Sequence, residues 1–171
     1  MSLCDINTGY TLNCWVSGGV KKVWLGTYNP LAVYQKDALG VITAATGTNS
    51  IYLFDQDVEF ATLNEAVTVD RANAAVAYET TLGIKLTHLD AHLKQLLKSL
   101  NRAPLFAVVE SVAGDFYLLG EESAGRISEG TATVGQAYTD MNGATTSIMF
   151  KSQDGMSLID GALVGSDITV G

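Results

Sequence analysis

The chain has 171 residues, enough for one domain with its own core. Its net charge of −8 argues against direct binding of DNA or RNA, which needs clustered Lys and Arg, and the longest basic run is Lys21-Lys22. Charged residues make up only 16%, below the usual share of about 25%, so part of the surface is expected to be buried against partners. Seventeen Gly and two Pro suit a turn-rich β protein. Cys4 and Cys14 both lie in the N-terminal segment, with no further ligands at zinc spacing, and read as reduced thiols or one disulfide. Met1-Ser2-Leu3-Cys4-Asp5 lacks the basic-then-apolar pattern of a secretory signal, and no stretch is apolar enough to span a membrane.

In chain order, residues 1–19 read as an irregular arm anchored by Cys14-Trp15-Val16, and residues 161–171 as a loose Gly-rich tail. Between them, residues 20–160 read as one domain. Val20–Tyr28 is a strand, ended by Asn29-Pro30. In residues 29–50, Val33-Tyr34 and Val41–Ala45 are short strand candidates around an Asp37–Gly40 turn. Ile51–Phe54 is a further short strand.

The stretch Val58–Leu86 is rich in Thr, Ala and Val, and has no Pro. Its break, Asp70-Arg71-Ala72-Asn73, makes it a hairpin with arms of a dozen or so residues, longer than the usual strand of about 5–6. Such arms project beyond a small body, and their edges invite pairing with another chain. Val58, Phe60, Thr62, Val67, Val69, Val76 and Tyr78 are the candidate inter-subunit residues. Neither face is cleanly apolar, so the facing of the arms stays open. Leu86, Leu89, Leu93, Leu96, Leu97 and Leu100 then recur at helical spacing. They predict a packing helix over Thr87–Arg102, capped by Thr87 with Asp90 three residues on.

After Pro104 the pattern is β again: Leu105–Val112, Phe116–Leu119, a short Arg126–Glu129 piece, Thr131–Val134, Thr145–Lys151 and a last strand after Asp154-Gly155. The fold class is mainly β with one helix (α+β), a barrel- or sandwich-like core carrying a long hairpin.

No motif for catalysis stands out. His88 and His92 are four apart, but Leu89 stands where a zinc protease has Glu. Glu121-Glu122, Glu129 and Asp140 lack calcium-loop spacing, and read as solvated loops or a negative passage. There is no phosphate loop and no Gly-x-Ser-x-Gly elbow. Trp15, Trp24, Tyr28 and Tyr34 offer stacking surfaces for a sugar, or core. No enzyme activity, cofactor or metal is expected.

The order β, long hairpin, helix, then Gly/Thr-rich meander resembles the tail tube proteins of bacteriophages and related injection systems. The resemblance is carried by Val58–Leu86, the helix Thr87–Arg102, Phe116–Gly120 before Gly125, Thr131–Gly135, the turn Asp140-Met141-Asn142-Gly143 and Thr145–Lys151. The arm Cys4–Gly9 also looks like the start of structural proteins of tailed phages. The resemblance implies hexameric rings stacked into a tube in the virion tail, assembled in the host cytoplasm. It implies hairpins pairing into one inner barrel, the helix outside it, contacts with other tail proteins, and DNA passing without specific binding. Glu59, Glu65 and Glu79 are the candidate lumen acids, since repulsion would let phosphates slide. The alternatives are another virion protein (head decoration or neck) or a β-sandwich carbohydrate-binding domain.

Overall fold

The computed structural model describes residues 9–10, 16–57 and 59–171. The expectations for Cys4, Cys14, Trp15, Val58 and most of the N-terminal arm therefore fall outside the described residues. The protein is mainly β: β1 Val20–Thr27, β2 Val33–Lys36, β3 Ile42–Thr46, β4 Ile51–Phe54, β5 Thr62–Asp70, β6 Ala75–Thr87, β7 Leu105–Ser111, β8 Phe116–Leu119, β9 Arg126–Thr133, β10 Gly143–Ser152 and β11 Ser157–Ile159, with one helix, α1, Ala91–Leu100. They form a seven-stranded sheet, β2-β3-β11-β8-β7-β1-β4, and a four-stranded sheet, β5-β6-β10-β9.

The middle of the seven-stranded sheet is buried on both faces, which explains why β7 reads as an unbroken apolar run instead of alternating. Leu105, Ala107 and Val109 point toward the four-stranded sheet, meeting Leu82, Ile84, Ile148 and Phe150 in one core cluster. Phe106 and Val108 point the other way, into a second cluster with Trp24, Ile42, Ile51 and Ile168. The sheet curls around this second cluster without closing into a barrel. Residues 163–171 cover its open side. Ile51 N donates to Thr169 O and Gly171 N to Ile51 O, both at 2.9 Å, while Ala45 N donates to Asp167 Oδ2 at 3.2 Å. The segment expected to be a loose tail is thus packed, with Leu163 and Ile168 in the core.

The helix starts later than its leucine spacing indicates. Asp90 is the N-cap, its carboxylate accepting from Leu93 N at 2.7 Å. Leu86 belongs to β6, Leu89 lies in the connection, and His88 has φ +65°, which no helix interior tolerates. Thr87 is accordingly the end of a strand and not a cap. Leu93 and Leu100 are buried, and Leu96 packs against the inter-sheet core.

Candidate assembly interface

Whereas the seven-stranded sheet ends in β2 and β4 of 4 residues each, the four-stranded sheet ends in two long strands, β5 and β9 of 9 and 8 residues. Its strands pair antiparallel throughout, and among the described residues β5 and β9 have no outer neighbour. Along β6, Thr80, Leu82 and Ile84 face the body and are buried, so Tyr78 and Val76 continue the same side beyond it. Their opposite numbers on β5 are Val67 and Val69. Val67, Val69 and Val76 are 56%, 59% and 46% exposed, since β10 ends level with Tyr78 and nothing covers the hairpin past it. The hairpin does project, as its length predicts.

Its turn is built locally. Asp70 Oδ1 accepts from Ala72 N at 2.9 Å and Oδ2 from Asn73 Nδ2 at 2.6 Å. These bonds, led by the one from the Asn73 side chain, hold the Asp70 carboxyl below its ordinary pKa. Ala74 closes the turn at φ +50°. The first arm is shorter than expected. Phe60 sits in a turn before β5, with Lys85 Nζ 4.2 Å from its ring centre, so Phe60 is not a strand residue. Thr62 is the first residue of β5.

The opposite face of this sheet is open. It presents Asn64, Ala66 and Thr68 from β5, Ala75, Ala77 and Thr81 from β6, Thr145 and Ser147 from β10, and Thr131 and Thr133 from β9. By register its charges are Asp70, Glu79 and Glu129 against Lys85, Arg126 and Lys151, with the Arg126 guanidinium reaching to Arg102 O after the helix.

Of the three candidate lumen acids only Glu79 lies on this face, and Lys151 pairs with it at 3.5 Å. Glu59 sits in the turn before β5 at φ +65°. Glu65 faces the body, where its carboxylate accepts from Thr80 Oγ1 at 3.1 Å and from Met156 N at 2.6 Å. It ties the base of the hairpin to the loop after β10.

Several of the other sequence candidates make contacts within the fold. Glu121 pairs with Lys36 at 2.9 Å and accepts from Ser157 Oγ at 2.6 Å, while Glu122 accepts from Gln153 N at 2.8 Å. Burial first, then the Glu121 charge and Tyr28, push the neighbouring Tyr34 hydroxyl up to about 12. Trp24 is buried and stacks on Phe116, with ring centres 6.2 Å apart, which leaves it no face for a sugar. His88 and His92 do not share a helix face, because His88 precedes the helix. Asp140 accepts from Gln136 N and Ala137 N, both at 2.8 Å, and shapes the β9–β10 loop. Among the described residues no group of three or more His, Cys, Asp or Glu is placed to hold a metal ion.

Sequence reasoning missed β9 as one strand. It reads as two fragments because Ser128, Glu129, Gly130 and Thr131 carry no apolar signal, and a bulge interrupts its pairing opposite Ser147 and Ile148. Behind β9, on the body side, a groove of about 300 Å³ runs beside α1, lined by Leu97, Asn101, Ile127, Gly130 and Ala132. A second groove lies between α1 and the β1–β4 edge, lined by Phe54, Leu96 and Leu105. Among the described residues no helix is long and apolar enough to cross a membrane. Comparison with protein-family models, with curated proteins and with solved structures finds no match.

Proposed function

We propose that the chain is a structural subunit of a tube of the phage-tail kind, acting by assembly and not by catalysis. Copies join side by side into a ring, rings stack, and the open faces of the four-stranded sheets line a channel for the genome. The carrying observation is the strict antiparallel alternation of β5, β6, β10 and β9 with both outer edges free. In a rotated copy, β5 runs antiparallel to β9 of its neighbour, so one continuous antiparallel sheet can pass around the ring. Such closure is the physical remedy for exposed strand edges.

The channel face is small, neutral and charge-balanced, which supports passage by lack of grip on DNA. This replaces the expectation of an acidic lining on Glu59 and Glu65. In this reading the protein resides in the virion tail, meets other tail proteins, and needs no cofactor.

Negative-stain electron microscopy over a concentration series tests the proposal. Hollow rings or fibres are expected. A companion variant removes residues 67–78 and joins Ala66 to Glu79 through Asn-Gly, a favoured two-residue turn. It should stay folded and fail to assemble. A wild-type chain that remains monomeric at every concentration, with or without fragments of a tail baseplate as a seed, would sink the proposal.

A further inference from the structure

The two free edges are not level, and the mismatch fixes how a second copy docks. β5 is paired to β6 residues 75–83, whereas β9 reaches β6 only through β10, opposite residues 81–87. Side chains that face the body must stay on that side across a continuous sheet, so body-facing Leu63, Glu65, Val67 and Val69 must oppose body-facing Ile127, Gly130 and Ala132.

We infer that the groove between α1 and β9 receives the projecting hairpin of a second copy, with Val67 opposite Gly130. Past the bulge, this register sets Val69 against Ile127 and Asp70 against Arg126. Gly130 has no side chain, which leaves room for Val67 over Leu97 and Ala132. The valines left bare on one copy complete the apolar layer under the helix of the next. The charges match as well. Arg126, whose Nη1 donates to Arg102 O at 3.3 Å, has no acidic partner among the described residues, and the Asp70 carboxyl is held in its charged form by its own turn.

The stagger has a geometric consequence. Val67 is level with Tyr78 on β6, and Gly130 is level, through Thr146, with Ile84. A shift of about six residues is roughly 20 Å along the strand, against a four-strand width of roughly 19 Å. Their ratio tilts the strands by about 45°, at the upper end of what closed barrels use. A sheet so tilted can close on itself with no rise per copy, giving a ring instead of a spiral.

This rests on the assembly reading above, and its test separates the two. In a background with Cys4→Ser and Cys14→Ser, a chain carrying Ala66→Cys and Thr131→Cys places the two thiols directly opposite each other on the open face, where neither side chain packs. Mild oxidation should give a ladder of covalent oligomers on a non-reducing gel, ending at the closed ring. The shifted pairs Asn64→Cys with Thr131→Cys and Thr68→Cys with Thr131→Cys should stay largely monomeric. Separately, Val67→Ser with Val69→Ser should raise the concentration for half-assembly by about tenfold or more with little change in Tm, since both side chains are more than half exposed in the monomer. Rings that cross-link only through a shifted pair, or through none of the three, would overturn this docking and leave the ring reading standing. Absence of any wild-type assembly would remove both.

Discussion

The two sheets bury apolar surface to very different degrees. The seven-stranded sheet is covered on one side by its partner and on the other by its own curl and residues 163–171. Among the described residues the four-stranded sheet has one covered face, one open face and two unpaired edges. The contrast separates two jobs within one chain. The first sheet holds most of the buried core, and in the proposed reading the second keeps surface for other copies. Stability and assembly should therefore respond to different substitutions.

The largest effect is expected in the curled sheet. Phe106→Ala removes a buried ring from the second cluster and should cost about 3–5 kcal/mol in chemical denaturation. Val69→Ala, at the hairpin, should change monomer stability by less than about 0.5 kcal/mol. Equal costs at the two sites would break the division between the sheets. The joint between them comes next. A Cβ on Gly125 would overlap the Phe150 ring, so Gly125→Ala should cost about 1–3 kcal/mol in the same assay.

Smaller effects sharpen the picture of the hairpin. Ala74 sits at φ +50°, a conformation that costs a non-glycine residue about 1 kcal/mol, so Ala74→Gly should slow amide exchange in residues 66–78 and leave that of β7 unchanged. Acid should act in the opposite sense. Asp70 has a lowered pKa in the folded turn, so its contribution is present above the ordinary value of 3.8 and is lost as pH falls through the lower folded value. Amide exchange in the hairpin should quicken in that window in the wild type, and Asp70→Asn should flatten the response. At the alkaline end Tyr34, with a folded pKa of about 12, contributes stability that is present below 10.0 and lost as pH rises between the two values. Ultraviolet titration should show a late phenol ionisation, and Tyr34→Phe should remove that step.

Most strand positions were legible because turns announce them: Asp37–Gly40, Asp70–Asn73 and Asp154-Gly155 all fall between strands. The helix was legible from its leucines, but its start was not. Leu82, Ile84 and Leu86 alternate along a strand, and Leu86 and Leu89 happen to fall in helical step with Leu93. The facing of the hairpin was hidden for a chemical reason. Glu65 and Thr80 occupy body-facing positions where apolar residues would have marked the side, and they satisfy each other there. The candidate lumen acids were separated on the same point: Glu79 lies on the open face, Glu65 on the body side and Glu59 on neither arm. The second outer edge was illegible because β9, mostly exposed, carries little apolar signal of its own.

The packing of residues 163–171 sets an order on synthesis. β4 is translated early, yet its outer hydrogen bonds come from Thr169 and Gly171, and β3 waits for Asp167. The four-stranded sheet has all its strands once Ser152 has emerged. A nascent chain therefore holds a complete four-stranded sheet on a body whose second cluster is still open. Contacts so distant in sequence form late and slowly. On a crowded polysome, neighbouring chains can meet edge to edge before either body is sealed.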